Sequence, residues 1–143
     1  MRFIAPFALA LLLATPAVAE DCAPLAERVI QFQDTATNLV NLVQARPVDW
    51  RSVNPPADKR QDYANLRKAT DAMLPALQRF VATGKPATQA IEDCKRYRAG
   101  LPAGQVAILR SALIASDALV PLLVRYLVAY DAATGGPASL ETR

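Results

Sequence analysis

Val106, Leu109, Leu113, Ser116, Val120, Leu123, Leu127 and Tyr130 succeed one another at alternating steps of three and four. That spacing lays a stripe along one side of an α-helix. Ile108, Ala112, Ala115, Leu119, Leu122 and Tyr126 add a second apolar stripe beside it. Only Gln105, Arg110, Ser111, Asp117 and Arg125 clearly want water. The segment 103–133 is therefore expected to be the central helix, the one most surrounded by others. It is also long enough to span a bilayer, which takes roughly 20 apolar residues. Arg110, Asp117 and Arg125 recur every seven or eight residues, however, and ionised groups at the bilayer centre are costly. A buried helix of a soluble bundle is the better reading, with no transmembrane span once a leader is removed.

The same rhythm runs through the rest of the chain. Leu25, Val29, Phe32, Ala36, Leu39 and Val43 mark a first amphipathic helix over 24–45, with Pro24 suited to its opening turn. Its other face holds Gln31, Gln33, Thr35, Thr37, Asn38, Asn41 and Gln44, all polar and uncharged. Periodicity stops over 46–58, a connector holding Pro47, Pro55, Pro56 and Trp50. Trp50 is expected to plug that loop into the bundle, with a binding role as the alternative. A second helix over 59–83 turns Leu66, Met73, Leu74, Leu77, Phe80 and Val81 inward and stops at Gly84. Pro86 opens a short third helix to about 98, with Ile91 and Cys94 inward. Gly100 and Pro102 then punctuate the turn into the central helix.

Residues 69–81 and 115–127 resemble each other. Ala-Thr-Asp-Ala-Met-Leu-Pro-Ala-Leu-Gln-Arg-Phe-Val aligns with Ala-Ser-Asp-Ala-Leu-Val-Pro-Leu-Leu-Val-Arg-Tyr-Leu, six of thirteen positions identical and five more alike. The expected fold is all-α: a four-helix bundle of two αα-hairpins, an internal duplication, closed by one disulfide. Pro75 and Pro121 each withdraw an N–H from the carbonyl four residues back, on Asp71 and Asp117, so each helix is expected to bend there. In the plain reading, prolines and charges lie on the wet convex side. In the sharper one, Asp71 and Asp117 meet across a pseudo-twofold with Arg79 and Arg125 nearby. Such a site pairs carboxylates for acid–base work and arginines for an anion.

The first residues and the cysteines lead to an expectation about the compartment. Arg2, the apolar run 4–13 and Ala17-Val18-Ala19 form a secretory signal peptide, 1–19, leaving Glu20 as the mature N-terminus. Asp21 before Cys22 argues against lipidation. The bundle then occupies 20–134 and a flexible tail 135–143, one domain with a single core. Dropping Arg2 leaves 15 basic against 13 acidic side chains, a balance too weak to imply nucleic acid. In an oxidising compartment the two cysteines, Cys22 and Cys94, are expected to pair, with free thiols or metal ligation as alternatives. The chain is read as exported, periplasmic or secreted.

Histidine is absent, which removes Ser-His-Asp and Cys-His catalysis and histidine-ligated metal or haem. No phosphate-binding glycine loop, nucleophile elbow, Cys-x-x-Cys or calcium loop occurs. No cofactor and no metal are expected. Lys95, Arg96 and Arg98 suit a helix C-terminus, or contact with anionic lipid. The expected function is non-catalytic protein–protein interaction, with a second protein or a second copy. Gln31, Thr35, Asn38 and Asn41 with Trp50 form the candidate face, because such side chains shed water more easily than Lys or Glu. Two alternatives stand beside it. One is a small-molecule or lipid binder with Tyr97, Tyr126 and Tyr130 lining a cavity between helices. The other is an enzyme built on the paired Asp and Arg residues.

Overall fold

The computed structural model describes residues 21–97 and 100–136. The expected leader, most of the tail and Arg98 lie outside them. Three α-helices follow in order: α1 (Ala23–Gln44), α2 (Arg60–Arg96) and α3 (Ala103–Thr134). Two single-turn 3₁₀ helices, Asp49–Arg51 and Ala57–Lys59, lie in the connector between α1 and α2. Among the described residues there is no strand.

Local chemistry sets the helix ends. Asp21 accepts a hydrogen bond from the Ala23 N–H at 3.1 Å, placing a carboxylate at the N-terminus of α1. Where α1 stops, the Arg46 guanidinium donates to the Leu42 carbonyl at 2.8 Å. Gly135 takes a left-handed φ of 89° and its N–H bonds the Asp131 carbonyl, which ends α3. Lys59 Nζ donates to the Ala132 carbonyl at 3.0 Å, tying the start of α2 to that same terminus.

α3 packs along both other helices, while α1 and α2 meet at few points. The Cys22–Cys94 disulfide, with Cα atoms 6.0 Å apart, joins the start of α1 to the end of α2. Arg46 reaches Asp131 at 3.5 Å, so α1 ends where α3 ends. α1 therefore runs parallel to α3, and α2 antiparallel to both. The core divides in two along the axis. Around the disulfide sit Ala26, Val29, Ala87, Ala90, Ile91, Leu109 and Ala112. Toward the connector sit Ala36, Trp50, Leu66, Met73, Leu119, Leu123 and Tyr126.

Three sequence expectations need correction. The second and third helices are one helix of 37 residues, so the described residues form three α-helices rather than the four expected. Leu66, Ala69, Met73, Ala76, Phe80, Thr83, Ala87, Ala90 and Cys94 keep the three-and-four rhythm without a phase break across Gly84 and Pro86. Burial on both sides of the break holds it helical, and Pro86 removes only one backbone hydrogen bond. Leu74 and Val81 are exposed, because alanines take the inward positions where α2 approaches α3 closely. Trp50 is buried, 3% exposed, and carries the connector into the core as expected of a plug. Finally, α3 is flanked rather than wrapped. Among the described residues it is the one helix long and apolar enough to cross a membrane, yet only 33% of its most apolar stretch is buried.

Candidate functional site

At 100° per residue, α3 turns Ile114, Asp117, Pro121, Val124, Arg125 and Val128 to the side away from α1 and α2. All six are exposed, with Ile114 at 68% and Val128 at 64%. A shallow groove of about 300 Å³ borders this face, where small residues of α2 (Ala76, Ala82) meet Ser111, Ala115 and Ala118 of α3. Arg79 and Ile114 stand at its rim. Ile114, Val124 and Val128 are the exposed large apolar side chains of this face, with Asp117 and Arg125 set among them.

The connector end forms the second candidate. Trp50 fills the space that α1 and α2 leave open, and its ring lines grooves on two sides. One, about 380 Å³, is bounded by Arg51, Arg67, Thr70, Asp71 and Leu74. The other, about 680 Å³, lies among Arg46, Asp49, Lys59, Tyr63, Tyr130 and Asp131. The Arg51 guanidinium sits 5.6 Å from the Trp50 ring, and Arg46 lies 5.7 Å from the Tyr130 ring. The buried Trp50 Nε1–H has no acceptor among the described residues. Burial, with the Asp49 carboxylate nearby, raises the Tyr130 hydroxyl above its ordinary pKa.

The residues singled out in the sequence separate. Gln31, Thr35, Asn38 and Asn41 are all exposed on α1, where Thr35 donates to the Gln31 carbonyl at 3.0 Å. Asp71, Arg79, Asp117 and Arg125 are exposed but do not gather into one described cavity. Asp71 lines the Trp50 groove, Arg79 the groove beside Ile114, while Asp117 and Arg125 lie on the outer face of α3. Of the three tyrosines, Tyr97 is exposed, Tyr126 is buried and Tyr130 lines the larger connector groove. Lys95 pairs with Glu92 at 3.3 Å, and Arg96 lies over the Tyr97 ring. Among the described residues no three His, Cys, Asp or Glu side chains gather as they would to hold a metal. The outer face of α3 escaped sequence reasoning, although Ile114, Pro121, Val124 and Val128 stand outside both inward stripes. Compared with known proteins, the chain matches no family model, no curated protein and no solved structure.

Proposed function

We propose that the chain is an exported, non-catalytic helical bundle that works by protein–protein contact, through the outer face of α3. The observation that carries this reading is that the most apolar helix keeps its outer side uncovered, with Ile114, Val124 and Val128 exposed. The interaction surface moves from α1, where the uncharged side chains suggested it, to α3. The disulfide supports an oxidising compartment outside the cytoplasm. The internal repeat gains support from burial: Thr70 and Ser116, the buried polar residues among those described, occupy equivalent positions in the two copies. Each hydroxyl donates to the carbonyl four residues back, on Leu66 and Ala112.

A photo-crosslinking amino acid at position 114, introduced in the native host, is expected to give a protein adduct, and Val128 the same. The α1 position Gln31 serves as comparison. No adduct from either α3 position overturns the reading. A second reading is favoured by one observation, the unpartnered indole N–H of Trp50 beside Arg51 and Arg67. It assigns those grooves to a small ligand carrying a hydrogen-bond acceptor. A ligand of that kind raises the melting temperature of the native chain and leaves that of Trp50→Phe unmoved.

A further inference from the structure

The smaller groove beside Trp50 carries charges of both signs. Arg51 comes from the first 3₁₀ turn of the connector, and Arg67 and Asp71 come from α2. Among the described residues, ion pairs join Arg46 to Asp131, Lys59 to Asp62 and Lys95 to Glu92, and none involves these groove residues. Arg67 precedes Asp71 by four residues. In that order an intrahelical pair is weak, because each charge opposes the helix dipole. Arg51 rests its guanidinium 5.6 Å from the Trp50 ring and donates to no protein acceptor among the described residues. Pro75 offers no N–H to the Asp71 carbonyl, so that oxygen lacks its usual helical donor. We infer that this groove binds a free amino acid with an apolar side chain, its carboxylate on Arg51 and Arg67 and its ammonium on Asp71; the inference rests on the small-ligand reading of the Trp50 grooves.

The charges select a dipolar ligand. A simple anion meets the two guanidinium groups but is repelled by Asp71, and a simple cation meets the reverse. Arg67 and Asp71 stand one helical turn apart, about 6 Å along the axis, a span that a carboxylate and an ammonium on one carbon can bridge. Guanidinium groups take a carboxylate through paired N–H donors. An ammonium group has only donors, which suits the carboxylate of Asp71 and the carbonyl that Pro75 leaves free. The remaining walls are Trp50 and Leu74, which favour an apolar side chain. Thr70 is buried and its hydroxyl already donates to the Leu66 carbonyl. Asp49, the acidic residue beside Trp50, lines the larger groove instead. At about 380 Å³ the groove lies at the small end of the range for ligand pockets.

Calorimetric titration of the full chain, with its disulfide intact, is the test. L-Leucine and L-phenylalanine are expected to bind. 3-Phenylpropionate and 2-phenylethylamine each keep one of the two charges, and each is expected to bind about tenfold more weakly than phenylalanine, or worse. Arg67→Gln is expected to weaken phenylalanine about tenfold and to spare 2-phenylethylamine, which has no carboxylate. Asp71→Asn is expected to weaken phenylalanine equally and to spare 3-phenylpropionate, which has no ammonium. Both positions are exposed, and unchanged helical circular dichroism separates a lost contact from a lost fold. Failure of both amino acids to bind at millimolar concentration overturns the inference. So does a singly charged relative that binds as tightly as phenylalanine, or a variant that weakens all the phenyl compounds alike. Should an uncharged or singly charged acceptor-bearing compound alone raise the melting temperature, and only with Trp50 in place, the inference falls while the small-ligand reading stands.

Discussion

Trp50 carries its ring into the core and leaves its indole N–H without an acceptor among the described residues. The ring and the donor therefore pull in opposite directions. Trp50→Ala removes the wedge between α1 and α2, and is expected to cost about 3–5 kcal/mol in urea denaturation. Trp50→Phe keeps most of the apolar volume and deletes the unsatisfied donor, so its cost is expected to be far smaller. Tyr130 adds a pH dependence. Its folded-state pKa lies above the ordinary value of 10.0, because burial and the Asp49 charge favour the protonated hydroxyl. A raised folded pKa contributes stability that is present below pH 10 and lost as the pH rises through the folded value. Denaturation midpoints are expected to fall as alkalinity increases past pH 10, less steeply in Tyr130→Phe.

At the scale of the element, α2 runs through two residues that ordinarily stop a helix. Gly84 has a negative φ and open space where a Cβ would stand, so the Gly84→Ala variant meets no obstacle. It is expected to stabilise the chain by about 0.5–1 kcal/mol, seen as a rise in melting temperature. Gly135 behaves oppositely. At φ 89° it ends α3 in a conformation that alanine adopts poorly, and Gly135→Ala is expected to destabilise. These two glycines also show what was legible in the residues. The apolar rhythm located α1 and α3 within a residue or two, and it located the inward stripes of α3. The break at Gly84–Pro86 misled because punctuation was weighed above phase, whereas the stripe from Leu66 to Cys94 never slips. Leu74 and Val81 misled by size, since α2 buries alanines where it lies closest to α3.

For the molecule as a whole, the disulfide was readable from a pair of cysteines and the expectation of export. The open outer face of α3 was not, because apolar periodicity reports which residues avoid water and not which neighbours exist to cover them. Joining two predicted helices into one removed a companion from the bundle and left that side bare. The Cys22–Cys94 link encloses about half of the chain, and its replacement by serines is expected to cost on the order of 4 kcal/mol in equilibrium unfolding, in the loop-entropy model.

α1 lies along α3 and barely touches α2, and clasps of unlike strength stand at its two ends: a covalent bond beside its first turn and a tryptophan wedge beyond its last. Opening is then directional. Backbone amides in the final turns of α1 should trade their protons for solvent deuterons well before those next to Cys22, and cutting the sulfur bridge should erase that gradient by letting the helix lift from either end.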